Sequence, residues 1–293
     1  MINEKQSLVP NTDFFRWKPA AWLRVSGPDA FTFLQGQFTN DLRELERVSA
    51  VYGLWLNTKG KVLADSFVGR GAAPGEFWVG SYHSPAEVIR ARLEAFIIAD
   101  DVVVEDVTEV WGAVSLGEGD AMSDGTGVRF EGRRSAGRVV EWVFPLDHGP
   151  EVLRLLENRR ELSETEMERR RILAGIPKIP QDIGPGELPN EGGLEAAAIS
   201  YTKGCYLGQE VMARLKSMGT VRRRLRRVKA RGAVPALPCE LFQADRRVGE
   251  LRSVAAIDQG YAGLGLLSLI NLRTDEPMSF TAGGDAVVEL DAP

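Results

Sequence analysis

The sequence predicts a mixed α+β fold in two parts, residues 1–220 and residues 221–293. In the first part, segments with apolar residues at helical spacing are interspersed with segments rich in β-branched and aromatic residues. In the second part, short strand-like segments follow one another between glycines and prolines, without a long helical period. We therefore expect an α/β region followed by a small closing β-barrel.

Two helices are predicted in the first hundred residues. One begins after Gly27. The other lies near residues 85–98, because Ser84 and Glu87 have the spacing of a capping box and Pro85 suits the first helical position. The apolar residues that share one side are Phe31, Leu34 and Phe38 in the first helix, and Ile89, Leu93, Phe96 and Ile97 in the second.

A third helix is predicted further along the chain. Ser163 and Glu166 form a second capping box, and Gly175 and Pro177 are expected to end the helix that it opens. Strands of the first part are predicted at residues 76–81, 102–107 and 139–144. Strands of the second part are predicted at residues 226–230, 239–243, 247–252, 264–269 and 286–290.

Composition limits the classes of protein to which the chain can belong. It has 293 residues, 44% of them hydrophobic, and a net charge of −5, which is typical of a globular protein with a sizeable core. No run approaches the roughly 18 apolar residues of a membrane span. The first twenty residues lack the apolar core of a secretory signal. We therefore expect a cytoplasmic protein without a membrane partner.

The residues Lys203-Gly204-Cys205-Tyr206-Leu207-Gly208-Gln209-Glu210 are the most informative motif of the chain. Lys203 precedes the Cys205 thiol by two residues, and the run from Gln209 to Leu215 favours a helix. A nearby ammonium and a helix N-terminus both favour thiolate over thiol, so Cys205 is the candidate functional thiol and Lys203 its partner. The alternative is a buried structural cysteine. Cys239 lacks such a setting and is interpreted as structural.

This motif resembles the signature of the YgfZ-type folate-binding proteins, relatives of the glycine-cleavage aminomethyltransferase. Further matches occur in the family's order between about residues 30 and 225. They are Phe33-Leu34-Gln35-Gly36-Gln37-Phe38-Thr39-Asn40-Asp41, Lys59-Gly60-Lys61, Ala174-Gly175-Ile176-Pro177, Leu188-Pro189-Asn190-Glu191, Ala213-Arg214, Met218-Gly219 and Arg223-Arg224-Leu225.

The resemblance implies two α/β lobes and a C-terminal barrel packed as a three-part ring around a central folate channel. It also implies that tetrahydrofolate or a one-carbon derivative binds there. The expected partners are iron-sulfur enzymes and cluster-assembly proteins, whose cluster assembly or repair the protein would support, including radical enzymes that modify tRNA. In this interpretation the protein is an accessory factor without conventional turnover.

Two acids are the first folate-binding candidates under this resemblance. Glu191 occupies the position of the glutamate in the aminomethyltransferase's Pro-Leu-Glu segment, and a carboxylate can accept two hydrogen bonds from a pterin. Asp65 is the remaining half of the transferase's aspartate pair, since Ala64 stands at the other position. The alternatives are a surface-loop acid and an exposed polar strand position. The lost acid and the added Cys205 argue against a folate-dependent aminomethyltransferase, which stays the alternative function.

Three further residues complete the predicted folate site. Lys203 and Arg214 are candidates to pair with the glutamate carboxylates of folate, with solvated charges beside a helix as the alternative. Tyr201 is a candidate stacking surface, although an aromatic residue is more often part of the core.

The histidines His83 and His148 have no cysteine at ligand spacing, so we expect no metal site.

A basic run is the basis of a second alternative function. Seven positive charges lie within the ten residues from Arg222 to Arg231, a density that can engage RNA phosphates. The competing interpretation is that these residues decorate a strand and pair with some of the 41 acids of the chain. No aromatic RNA-binding motif accompanies them.

Overall fold

The computed structural model of the protein describes residues 12–117 and 125–291 and arranges them in three five-stranded sheets with six α-helices. The strands are β1 (Asp13–Trp17), β2 (Ala21–Ser26), β3 (Val51–Leu56), β4 (Val62–Arg70), β5 (Glu76–Ser81), β6 (Val103–Asp106), β7 (Trp111–Gly117), β8 (Val128–Gly132), β9 (Val139–Pro145), β10 (Arg160–Glu161), β11 (Arg223–Ala230), β12 (Cys239–Gln243), β13 (Arg246–Ile257), β14 (Gly260–Ser268) and β15 (Val288–Leu290). The helices are α1 (Ala30–Gln37), α2 (Ala86–Glu94), α3 (Gly149–Leu155), α4 (Glu164–Leu173), α5 (Glu195–Ala198) and α6 (Gln209–Met218). The fold is therefore mixed α and β, as the sequence predicts.

Sheets A and B make up the first part of the fold. Sheet A has the strand order β10-β1-β7-β9-β8 and sheet B the order β3-β4-β5-β2-β6. Helices α1 and α2 bury Leu34, Ile89 and Leu93 in the core of sheet B. The two sheets pack through a cluster of aromatic rings, in which Trp78 of β5 lies against Phe130 of β8 with 5.0 Å between ring centroids. This packing fixes the relative position of the strands that carry the candidate site.

Sheet C forms the second part, with the strand order β12-β13-β14-β11-β15. All of its strand pairs are antiparallel, and the register of β13 against β14 shifts between Leu251 and Ser253. Such an irregularity increases the local bend of a strand. Helix α4 covers one face of this curled sheet, where Ile172 and Leu173 pack against Leu264. The five predicted C-terminal strands are confirmed, with β11, β13 and β14 longer and β15 shorter than predicted.

The three predicted helices are also confirmed. Ser163 caps α4 as expected, since its hydroxyl accepts from the Glu166 N–H while the Glu166 carboxylate accepts from the Ser163 N–H. Helix α2 is shorter than predicted because the amides of Phe96 and Ile97 bond to carbonyls three residues back, which tightens the last turn. In the described part of the chain, no helix is long and apolar enough to cross a membrane.

Candidate functional site

A cavity of about 440 Å³ lies between sheets A and B, α4 and the segment that follows α4. Phe15, Trp17, Tyr52 and Tyr82 give it aromatic walls. Its charged and titratable lining residues come from several elements and are Arg16, Lys18, Asp65, His83, Arg133, Arg134, Glu161, Glu164, Glu168, Arg171 and Lys178. Its volume is within the usual range of small-molecule sites, and it combines aromatic walls with many charged side chains.

Asp65 on β4 is the buried acid of this cavity. Its carboxylate accepts hydrogen bonds from Ser84 Oγ at 2.7 Å, Ser81 Oγ at 2.9 Å and Tyr52 Oη at 3.0 Å. Burial raises the pKa of Asp65, while these three hydrogen bonds and the charge of Arg133 act in the opposite direction. An acid held in this way can exchange a proton with a ligand, because its neutral form is closer in free energy than that of an exposed aspartate.

Ser84 has a different role from the one its spacing indicates. Helix α2 has Pro85 at its N-cap and no side-chain cap, so the predicted capping box at Ser84 is wrong. The Ser84 hydroxyl donates to the Asp65 carboxylate and accepts from the Asp65 backbone N–H at 3.0 Å. A buried carboxylate gains more from a hydroxyl donor than a helix end gains from a cap. Ser84 therefore fixes Asp65 in the wall of the cavity.

Two arginines after β8 bring positive charge to the same cavity. The Arg133 guanidinium lies over the Tyr52 ring, 4.1 Å from its centroid. The Arg134 guanidinium is buried, 3.8 Å from the centroid of Tyr82, and its Nε lies 3.4 Å from Oε1 of the fully buried Glu141. Burial raises the pKa of Glu141, which also accepts from Tyr82 Oη at 2.7 Å. Arg134 is thus held in place by aromatic faces and by an acid behind them.

His83 lies in the wall beside three cations. Burial lowers the pKa of His83 to about 2, and the positive charges of Arg134, Lys178 and Arg171 act in the same direction. The imidazole is therefore neutral at physiological pH, which leaves it able to donate one hydrogen bond and accept another. Because Arg134, Lys178 and Arg171 lie near His83, this wall of the cavity favours a negatively charged group of a ligand.

Glu191 lies outside the residues that line this cavity. Its carboxylate accepts from the Leu188 N–H at 2.7 Å and from Arg223 Nε at 2.9 Å. Arg223 belongs to β11, so this bond connects the 3₁₀ turn at Pro189–Gly192 to sheet C. The structure does not bring Glu191 and Asp65 together in one cavity. A pterin that binds Glu191 would replace Arg223 as the partner of the carboxylate.

Lys203 is buried and joins its loop to the end of α1. Its Nζ donates to the carbonyls of Gln35, Phe38 and Asn40 at 2.6, 2.7 and 3.0 Å. Burial lowers the pKa of Lys203 to about 8. Because three backbone carbonyls use the three ammonium hydrogens, Lys203 holds the loop that carries Cys205. To pair with a folate carboxylate, as predicted, the ammonium would have to give up at least one of these carbonyls.

Cys205 is a free, exposed cysteine four residues before α6. The loop after it turns at Gly208, where φ is +86°, and a Cβ there would lie 3.1 Å from the Asn57 carbonyl oxygen. Glycine therefore allows the loop to pack on the β3–β4 turn.

Arg214 is exposed and pairs with Glu210 one helical turn away. Tyr201 is half-buried under the Lys216 ammonium, which lies 4.2 Å from its ring centroid. The structure thus places Tyr201 and Arg214 outside the residues that line the cavity.

The basic run from Arg222 to Arg231 lies mainly on β11, and most of its charges have acidic partners. The pairs are Arg223 with Glu187 and Glu191, Arg224 with Glu195, Arg227 and Lys229 with Asp291, and Arg231 with Glu289. A phosphate backbone would have to compete with these acids for the arginines. The contacts match the interpretation in which the run decorates a strand of the barrel.

Sequence reasoning missed the aromatic and basic residues of the cavity. Tyr52 lies on β3 and Tyr82 follows β5, both of sheet B, whereas Arg133 and Arg134 follow β8 of sheet A, about 50 residues or more further along the chain. The arginines meet the tyrosines only through the packing of sheets A and B. The available local signal was the adjacent pair Arg133 and Arg134, a few residues before the strand predicted at residues 139–144. Nothing in their spacing relates them to Asp65.

Comparisons with known proteins agree with this architecture. Residues 12–117 match the family described as the GCVT N-terminal domain, and residues 222–293 match the CAF17 C-terminal β-barrel domain. Aminomethyltransferase T of the glycine cleavage system from Bartonella henselae superposes with a TM-score of 0.79, over 99% of this chain and 88% of its own, at 17% identity. This likeness shows a shared fold.

Two curated relatives extend over most of the chain. The mitochondrial iron-sulfur cluster assembly factor IBA57 from Mus musculus is 30% identical, over 86% of this chain and 76% of its own length. The tRNA-modifying protein YgfZ from Edwardsiella ictaluri is 27% identical, over 80% of this chain and 74% of its own length. The similarity therefore includes both parts of the fold.

Proposed function

Since the chain belongs to the family of the iron-sulfur cluster assembly factor IBA57 and the tRNA-modifying protein YgfZ, we propose that it is a tetrahydrofolate-binding accessory protein. In this role it supports the assembly or repair of iron-sulfur clusters in client enzymes. Its partners are iron-sulfur enzymes and cluster-assembly proteins, among them enzymes that modify tRNA. We propose the cytoplasm as its location, because a reducing compartment keeps an exposed thiol such as Cys205 free.

The cavity next to Asp65 is the observation that carries the folate proposal. A reduced folate combines a flat, nitrogen-rich ring with a negatively charged tail. The aromatic walls suit the ring, the Asp65 carboxylate suits its N–H groups, and Arg133 and Arg134 suit the negative charge. Bound tetrahydrofolate supplies nitrogens that carry one-carbon units. The Asp65 carboxylate would accept hydrogen bonds from the ring, and Ser81, Ser84 and Tyr52 keep that carboxylate oriented.

Glu191, Lys203, Arg214 and Tyr201 remain candidates of lower rank for folate binding. Each has a partner elsewhere in the fold that a ligand would have to replace. Cys205, in contrast, is exposed and available to a second protein. We therefore propose a division of roles, with folate bound at Asp65 and the thiol of Cys205 presented to clients.

Isothermal titration of tetrahydrofolate into the wild type, Asp65→Asn and Glu191→Ala tests the proposal. We expect Asp65→Asn to weaken binding at least about tenfold, because a neutral amide loses a charge-assisted hydrogen bond. Glu191→Ala is expected to change affinity less. Formaldehyde release from methylene-tetrahydrofolate, followed in parallel, should stay at background.

Asp147→Asn, an exposed acid outside the lining of the cavity, is the matched control and should bind like the wild type. Absence of tetrahydrofolate binding by the wild type contradicts the proposal. Unchanged affinity in Asp65→Asn contradicts the assignment of Asp65, and turnover revives the transferase alternative.

A further inference from the structure

An ordered turn at the end of β14 exposes an apolar side chain. Ile270 is 71% exposed and Leu269 is 41% exposed. The Leu269 N–H donates to the Arg222 carbonyl at 2.8 Å, and the Asn271 N–H donates to Ser268 Oγ at 3.2 Å. The turn is therefore held by hydrogen bonds while the Ile270 side chain stays in water. A single exposed apolar residue is common on protein surfaces, so its surroundings decide whether it has a role.

Helix α6 connects this turn with the loop that carries Cys205. Cys205 lies four residues before the helix, and Arg222 lies four residues after it. The helix is held on the barrel because Met212 packs in one apolar cluster with Leu266 of β14. Its ten residues span about 15 Å, a distance that one side of a standard protein interface, about 800 Å² in area, covers. The thiol and Ile270 can therefore contact the same partner.

The surface between the thiol and the turn is positively charged, although the chain as a whole has a net charge of −5. We call the exposed side chains of residues 205–222 and 268–271 the thiol-tip face. The charged residues of these two segments are Glu210, Arg214, Lys216 and Arg222. Glu210 pairs with Arg214, which leaves the other two cations without an ion-pair partner among the residues that the structure describes. Such a face attracts a partner surface of negative charge.

We propose that the thiol-tip face docks an acidic surface of the client protein, with Ile270 filling an apolar recess of that surface. The inference rests on the proposed function and names the chemistry of the partner that meets Cys205. Protein interfaces usually combine an apolar core with a polar rim, which matches an isoleucine beside unpaired cations. A second copy of the chain does not fit this face, because a two-fold contact would bring the cations of both copies together.

Complementation of cells that lack the natural protein tests the role of Ile270, with the activity of an iron-sulfur enzyme as the measurement. Ile270→Asp should lower this activity at least about fivefold, because a carboxylate in an apolar recess loses its hydration. Ile270→Leu should keep the activity of the wild type. Ile98→Asp is the matched control, since it introduces the same charge at an isoleucine that is 90% exposed outside the thiol-tip face. Because both positions are exposed, the urea midpoint and the tetrahydrofolate affinity should not change.

Arg222→Glu tests the charge of the client surface in the same cells. It should lower the enzyme activity at least about threefold, because two negative surfaces would then face each other. Arg70→Glu is the matched control and should keep the activity. Arg70 is likewise exposed and, in the described part of the chain, likewise has no ion-pair partner.

Full activity of Ile270→Asp, in cells in which the wild type is active, overturns the inference and leaves the proposed function standing. Equal losses in Ile270→Asp and Ile98→Asp attribute the effect to surface charge in general and also overturn it. Equal activity of the two arginine variants overturns the acidic partner. A wild-type dimer that Ile270→Asp converts to a monomer in sedimentation assigns the turn to a second copy and overturns the client assignment. Failure of the wild type to restore any activity overturns the proposed function and the inference together.

Discussion

Cys205 and Lys203 are neighbours in sequence with opposite surroundings. The Cys205 thiol is exposed, whereas the Lys203 ammonium is buried against the three carbonyls near the end of α1. The sequence motif suggests that lysine tunes the thiol. The contacts support a positioning role, in which Lys203 holds the loop and the loop presents Cys205.

Cys205→Ala should therefore separate function from stability. We expect the free energy of unfolding to change by less than about 0.5 kcal/mol, because an exposed side chain is removed. The affinity for tetrahydrofolate should also be unchanged. Support of iron-sulfur client enzymes should be lost, measured as their activity in cells that lack the natural protein. Cys239→Ala, at the half-buried second cysteine, is the matched control and should restore activity. Full rescue by Cys205→Ala contradicts the thiol role.

His83 should make the fold sensitive to acid. Its pKa is lowered to about 2 in the folded protein, against roughly 6.5 in the unfolded chain. Between these values the unfolded state binds more protons, so stability is present above pH 6.5 and is lost as pH falls below it. The loss is at most about 1.4 kcal/mol per pH unit.

His83→Gln should flatten this dependence between pH 6.5 and pH 5, measured by urea unfolding at each pH. The chain has one other histidine, His148, which is exposed on its surface and provides the control. His148→Gln should keep the slope of the wild type. Identical slopes in all three proteins would show that His83 takes up its proton in the folded state as readily as in the unfolded chain.

At the scale of elements, the predicted capping box at Ser163 forms and the one at Ser84 does not, because the two serines have different surroundings. Ser163 stands at the exposed start of α4, where Glu166 is its nearest polar partner. Ser84 stands beside the buried Asp65, whose backbone N–H donates to the Ser84 hydroxyl and whose carboxylate accepts from it. Local spacing specifies a cap only where no tertiary partner competes.

Ser163→Ala should reduce the free energy of unfolding by about 1 kcal/mol, because the start of α4 loses a side-chain acceptor. Chemical denaturation measures the change. Ser217→Ala is the control, since the Ser217 hydroxyl donates to the Arg214 carbonyl on an exposed part of α6 and its loss should cost less than about 0.5 kcal/mol. A cost for Ser163→Ala no larger than that of the control would mean that Glu166 alone satisfies the helix start.

The elements themselves could be predicted because their signals are local. The spacing of Ile89 and Leu93 indicated α2, and residues 239–243 were predicted as a strand with the bounds that β12 has. The cavity could not be predicted in the same way. Tyr52 and Asp65 meet across the neighbouring strands β3 and β4, but Arg134 reaches the same cavity only because sheet A packs on sheet B, and no sequence interval encodes that contact.

At the scale of the whole molecule, a buried charge network joins the cavity to the C-terminal barrel. Asp182 is fully buried and bonds to Arg171 Nη1 at 2.7 Å and to Ser253 Oγ at 2.5 Å. Ser253 lies on β13, whereas Arg171 lies on α4 and lines the cavity. The carbonyl of Asp182 also accepts from Arg252 at 2.9 Å. The barrel and the cavity at Asp65 are therefore joined by one network of charged side chains.

Asp182→Asn should test whether this network couples the two parts. Removing the charge leaves the buried Arg171 with Glu168 as its remaining acid, so we expect a loss of about 3 kcal/mol in the free energy of unfolding. Because Arg171 lines the cavity, tetrahydrofolate affinity should fall as well, although position 182 lies outside its wall. Glu276→Gln, at the exposed pair with Arg273, is the control and should change both quantities little. Destabilisation with unchanged folate affinity would show that the network holds the barrel in place without organising the cavity.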